Sequence, residues 1–184
     1  MATMLELSAC YAIGAIGEVG PELLSLPTPC AGWDLRMLLD HANESLAALL
    51  EGMTGGTVAL TSAGLAAAAD PALVFRDRAS RLLCASDDPG CPVSVAIADR
   101  SVPVSVMTAM ASIEIAVHGW DVSQACGQRL PVPPGLAADL LELCVLLVPR
   151  AGRYPLFGVP VPVPPSASPS DRLAAFLGRA LSLS

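Results

Sequence analysis

The sequence predicts a mostly α-helical protein, and two observations carry that expectation. Apolar residues recur at i, i+3, i+4 and i+7 in several segments, the spacing of one face of a helix. Between those segments lie helix start and stop signals: Gly20-Pro21, Asp34, Asp70-Pro71 and the run from Pro131 to Pro134. At 184 residues the chain is expected to form one domain, 1–184, with one sizeable core.

The first helix is expected over Met4–Glu18, with Leu5, Ala9, Ile13 and Ile16 turned inward and Gly20-Pro21 as its stop. Two prolines, Pro27 and Pro29, fix the loop that follows. Asp34 then offers an N-cap to a second helix, Asp34–Gly52, whose Leu35, Leu38, Leu39, Ala42, Leu46, Leu49 and Leu50 form one stripe. Trp33, just before the cap, is expected to pack on the first turn as an anchor. Met53 to Ala69 is small and polar and reads as a loop passing into a helix. A third helix, Asp70–Ser86, has Pro at its first position. Phe75, Ala79, Leu82 and Leu83 should face inward; Arg76, Asp77, Arg78 and Arg81 should form a solvated face. Val93–Ile97 and Val102–Val104 flank Asp99-Arg100, either as a short β-hairpin or merely as an extended connection. The fourth helix spans Val104–Cys126. The fifth, Gly135–Val148, carries Leu136, Leu140, Leu143 and Leu147. Arg150 to Pro169 is Pro-rich, and its alternating Val159, Val161 and Val163 suit a strap against the body. The last helix is expected over Ser170–Leu181, with Leu173, Phe176 and Leu177 inward.

The chemistry gathers on the fourth helix. It is apolar all round, which marks a buried helix. Glu114 and His118, four apart, share a face, and Asp121 joins them three further on. A carboxylate and an imidazole in a core are costly unless paired or bound to a metal. The other histidine of the chain, His41, sits at the edge of the second helix's stripe. Two nitrogens and one carboxylate suit a divalent transition metal, and three protein ligands leave a position for water or substrate. A hydrogen-bonded Glu–His pair with no metal is the simpler alternative. Asp121 is expected either to orient His118 or to act as a general base.

Composition narrows the partners. The net charge is −7, with ten Arg and no Lys, which argues against nucleic acid or an anionic membrane. The hydrophobic fraction is 53%, yet no apolar run has the length and character of a membrane span. The N-terminus lacks a basic region and carries Glu6, which argues against a secretory signal; a cytoplasmic protein is expected. The six cysteines have no C-x-x-C pair and lie in apolar stretches, so reduced, mostly buried thiols are expected. High apolar content with few charges is compatible with a homodimer.

Four stretches together resemble a known family. They are Thr28-Pro29-Cys30-Ala31-Gly32-Trp33 with His41 following; Glu114-Ile115-Ala116-Val117-His118-Gly119-Trp120-Asp121; Phe157-Gly158 with the Val-Pro strap; and Asp171-Arg172-Leu173 with Leu177-Gly178-Arg179. The chain resembles the DinB-like superfamily, in the branch of the mycothiol-dependent maleylpyruvate isomerase N-terminal domain. The likeness covers about Leu26 to Arg179 and is most specific at Glu-x-x-x-His-Gly-Trp-Asp. It implies an up-down-down-up four-helix bundle with a divalent metal (Zn, Ni or Fe) held by His41, Glu114 and His118. It further implies a metal-dependent transferase, isomerase, lyase or hydrolase. Such an enzyme uses mycothiol or another low-molecular-weight thiol, or water, on a small-molecule substrate, in thiol transfer, isomerisation, ring opening, hydration or cyclisation, as in secondary metabolism. No stretch of these 184 residues resembles the isomerase's added C-terminal domain, so that particular activity is not expected to carry over. The competing expectation is a non-catalytic metal- or ligand-binding helical bundle, or an interaction protein with a relict site.

Overall fold

In the computed structural model, which describes residues 2–59, 70–149, 151–153 and 157–180, helix dominates. Six α-helices are seen among the described residues: α1 Met4–Ile16, α2 Leu35–Gly55, α3 Pro71–Ser86, α4 Val104–Ala125, α5 Pro134–Leu147 and α6 Pro169–Phe176. A small sheet accompanies them, formed by β1 Thr57–Val58, β2 Ser94–Ile97 and β3 Arg100–Pro103 in the order β1-β2-β3. No helix among the described residues is long and apolar enough to cross a membrane.

The helix starts follow the local chemistry. Thr3 caps α1 in a reciprocal pairing with Glu6. Asp34 accepts from the Met37 amide at 2.8 Å, and Asp70 from the Leu73 amide at 2.9 Å. The ends depart from expectation in two places. Helix α2 does not stop at Gly52 but continues to Gly55, and the left-handed residue that ends it is Gly56, φ 71°. Gly52 is there for closeness: a Cβ on it would lie 3.0 Å from both Met107 Cε and Val95 Cγ1. Helix α6 ends at Phe176, short of the expected Leu181, which lies outside the described residues. Gly178, φ 86°, donates to the Ala175 carbonyl and Arg179 to the Ala174 carbonyl, a Schellman cap that turns the chain back onto the body.

The connection before α4 is the hairpin alternative. Strands β2 and β3 pair antiparallel, Ala96 opposite Ser101, and β1 adds in parallel with Thr57 opposite Ala96. Two residues are too short to leave a period in the sequence, so β1 was not legible there. The remainder of the expected loop-to-helix passage, 60–69, lies outside the described residues.

Helices α2 and α4 run in opposite directions. Gly52, late in α2, faces Met107, early in α4, while His41, early in α2, meets Glu114 further along α4. Helix α1 packs on α4 and α3, and α2 on α3 and α4. Helix α4 is apolar all round because it lies between two cores. Ala111, Ile115 and Val122 join the core built with α1 to α3. Ile113, Val117 and Trp120 join a second core with Leu136 and Leu140 of α5 and Leu173 of α6. The Val-Pro strap is tied down by the Val161 amide, which donates to the Ala175 carbonyl at 2.9 Å, while Val159 stays exposed.

Two surface expectations need correction. The cysteines are all free, but only Cys144 is buried; Cys10 and Cys84 are exposed, because the helical period places them on outer faces of α1 and α3. Arg78 is not on a solvated face: its guanidinium donates to the Asn43 carbonyl of α2 at 2.7 Å. Asp77 and Arg81 do pair on the outside.

Candidate metal centre

His41 and Glu114, 73 residues apart, meet because α2 and α4 cross with these positions facing. His41 Nε2 lies 3.0 Å from Glu114 Oε1, and His118 Nε2 lies 3.3 Å from the same oxygen. Ser45 Oγ donates to it as well, at 3.2 Å. The ligating atoms of His41, Glu114 and His118 all fall within 4.8 Å of one another. A tetrahedron with ligand bonds of about 2.0–2.1 Å has edges of about 3.3–3.4 Å, so the donor set and its spacing fit a divalent metal.

His118 is held from behind. Its Nδ1 lies 3.1 Å from Oδ2 of Asp121, one turn on, which leaves Nε2 toward Glu114. Asp121 is fully buried, and its remaining valence is filled by Arg179. Arg179 Nη2 donates to Oδ2 at 2.8 Å and Nε to Oδ1 at 3.2 Å. Cys30 Sγ donates to Oδ2 at 3.3 Å. Arg179 reaches this point because the cap at Gly178 reverses the chain. Cys30 arrives on a tight turn in which Thr28 Oγ1 bonds both the Cys30 amide and the Trp33 carbonyl. At Gly119, a Cβ would lie 2.8 Å from Ala12 Cα, so α1 presses directly on the helix segment that carries His118.

Charge follows this wiring. Burial by itself opposes ionisation of Glu114. The neighbouring His118 charge and hydrogen bonds from both imidazoles overcome it and hold the carboxyl well below its usual range. Burial likewise opposes the charged form of His118, but Glu114 and the bond to Asp121 hold it well above the usual imidazole range. Asp121 stays below the ordinary carboxylate value: burial works against it, and the His118 bond and the Arg179 guanidinium win. Without a metal, the group is a compensated chain of alternating charges.

In front of the ligands opens a cavity of about 870 Å³. Trp33 lines it with its ring centroid 4.9 Å from that of His41, so Trp33 is half-buried beside the site as well as an anchor for α2. The two imidazoles meet edge to face at 5.3 Å. Phe157 and Gly158 of the strap close one side, where Gly158 and Gly178 cross with no room for a Cβ between them. Arg153 fixes that crossing, donating to the Gly158 and Phe176 carbonyls at 2.9 and 2.6 Å. A second group, Cys30, His118 and Asp121, also has its ligating atoms close together, but Arg179 already compensates Asp121 there.

Each residue expected at the site is therefore here: His41, Glu114 and His118 at the floor of the cavity, and Asp121 behind His118. Ser45, Cys30 and Arg179 escaped a reading by period. Ser45 lies one turn after His41, which is a usable signal; Gly178 before Arg179 signals a helix cap but not what Arg179 touches.

The chain is similar to two proteins of Mycobacterium tuberculosis, the uncharacterized proteins MT0763 and Rv0738. Each is 29% identical over 172 residues, spanning 89% of this chain and 89% of the relative. No family model matches the chain. No solved structure matches it.

Proposed function

We propose that this protein is a metal-dependent enzyme of the DinB-like kind, in which His41, Glu114 and His118 hold one divalent ion, Zn, Ni or Fe. The observation that carries the proposal is the meeting of two Nε2 atoms and one carboxylate oxygen, from two helices, at the floor of a cavity. The fold expected of that family has support in the helix directions. Ala12 late in α1 meets Gly119 late in α4, and Asn43 early in α2 donates to the Pro71 carbonyl at the start of α3. With α2 opposed to α4, these contacts suit an up-down-down-up bundle.

When bound, the metal supplies Lewis acidity, which acidifies a thiol or water and polarises an electrophilic substrate. The chain's own residues do the rest. Asp121 acts through His118 rather than on substrate, since it is buried and faces away from the cavity with Arg179 and Cys30 on its oxygens. It keeps Nδ1 protonated and Nε2 available. Glu114 and His41 are partly exposed to the cavity, at 30% and 40%, so a small molecule has access to the ligand edge. The chemistry is transfer or addition of a small thiol, or of water, to an electrophile.

One observation favours a second reading, a ligand-binding bundle without catalysis: the His41–Glu114–His118 chain satisfies its own hydrogen bonds with no ion. Zinc-loaded protein should speed the reaction of a small thiol or water with an uncharged epoxide such as styrene oxide, and His118→Ala should abolish the acceleration. Metal bound at unit stoichiometry with no such turnover across a panel of electrophiles would favour the binding role instead.

A further inference from the structure

The cavity wall beyond the ligands is apolar, built by Leu49, Met110, Ile113, Val117, Phe157 and Leu177. Among the described residues, one guanidinium lines it, Arg179, and like the His118 imidazole it is already engaged. Its Nε and Nη2 bond Asp121, and its Nη1 donates to the Leu177 carbonyl at 3.0 Å. The Cys30, His41, Ser45, Glu114 and His118 side chains at the floor bond within the same cluster. Apart from the Trp33 indole, no polar side chain faces the remainder of the space among the described residues. A second anionic group on a bound molecule, or a sugar's set of hydroxyls, would lose water there and meet no free polar side chain among the described residues. The volume, about 870 Å³, is that of a site for a drug-sized molecule.

We infer that the cavity takes a molecule with a single polar end, seated at His41, Glu114 and His118, and an uncharged, largely apolar remainder along Met110, Val117 and Phe157. Dianions, phosphorylated compounds and glycosylated thiols are selected against. The inference rests on the metal reading only for which end is polar; the selection along the wall stands without it.

The test uses a neutral fluorescent probe, N-phenyl-1-naphthylamine, on full-length protein with and without zinc. Two competitors of equal chain length displace it: octanohydroxamic acid and its analogue with a terminal carboxylate. Octanohydroxamate should compete about tenfold or more tightly in both forms, since the carboxylate must shed its water against an apolar wall. Met110→Lys, or Leu49→Lys should that variant not fold, should narrow or reverse the ratio. Equal competition by the two compounds overturns the inference, as does an unchanged ratio in the folded lysine variant. Should zinc fail to bind while the preference persists, the metal reading falls and the inference stands. Should zinc bind without the preference, the reverse holds.

Discussion

At one end of the α2–α4 pair, Gly52 faces Met107 and Val95 so closely that a Cβ would lie 3.0 Å from either. Toward the other end, the same two helices hold His41, Glu114 and His118 around a cavity of about 870 Å³. The first end is closed by small residues, a short sheet and dispersion contacts. The second is held open and lined with charge, and each charge is compensated by the next. The comparison teaches where the fold takes its stability and where it spends conformational specificity. The sheet end holds the helices together; the compensated chain from Glu114 through His118 and Asp121 to Arg179 sets the orientation of the ligands.

The largest expected effect comes from breaking that chain at its buried end. Arg179→Ala removes the guanidinium that bonds both oxygens of buried Asp121, leaves His118 to compensate it alone, and should cost about 3–5 kcal/mol in urea denaturation. A loss under about 1 kcal/mol would mean that Asp121 is solvated and that the polar end is not a compensated network. Next, Gly52→Leu forces a side chain into Met107 and Val95 and should cost about 1–3 kcal/mol. Zinc affinity should stay unchanged in that variant. Its loss would show that the two ends are mechanically coupled.

Titration of the metal-free protein should separate the two ends again. The carboxyl of Asp121 is depressed, so its contribution is present above its ordinary value of about 3.8 and disappears as pH falls through the lowered folded value. The imidazole of His118 is raised, so its contribution is full below about 6.5 and disappears as pH rises through the raised folded value. Glu114 is depressed as well, from a higher ordinary value of about 4.5, so Tm should be flat between about pH 4.5 and 6.5 and fall on both sides. Zinc needs a deprotonated Nε2, so the stabilisation it adds should grow with pH across the alkaline side. His118→Gln should remove the alkaline decline. The smallest effect belongs to the sheet end: Ala98 in the hairpin turn has φ 53°, and Ala98→Gly should stabilise by up to about 1 kcal/mol.

Much of the candidate site was legible because helical period is a three-dimensional statement. Glu114, His118 and Asp121 fall on one face by spacing alone, and an all-round apolar helix reveals that the face is buried. His41 was legible as a stripe-edge histidine, but its meeting with Glu114 depends on the crossing of α2 and α4. Arg179 was not legible as a partner of Asp121, since what aims it is a Schellman cap 58 residues further along the chain. Gly52 misled for a physical reason: a glycine that ends a helix and one that lets a helix be approached look alike in sequence. The two-residue β1 carries no period at all, and apolar neighbours in sequence do not reveal the exposure of Cys10 and Cys84, which the helical face decides.

The most direct test is a zinc titration of metal-free wild type beside His41→Ala, Glu114→Gln and His118→Ala, with metal content checked by mass spectrometry after gel filtration. If the three side chains form one centre, wild type binds zinc at one ion per chain and each variant loses it, although the first two positions lie 73 residues apart. The His118→Ala protein should remain folded, less stable by a few kcal/mol at most where Glu114 takes up a proton. No saturable binding by wild type, or unit stoichiometry retained in all three variants, would contradict a metal centre at this site.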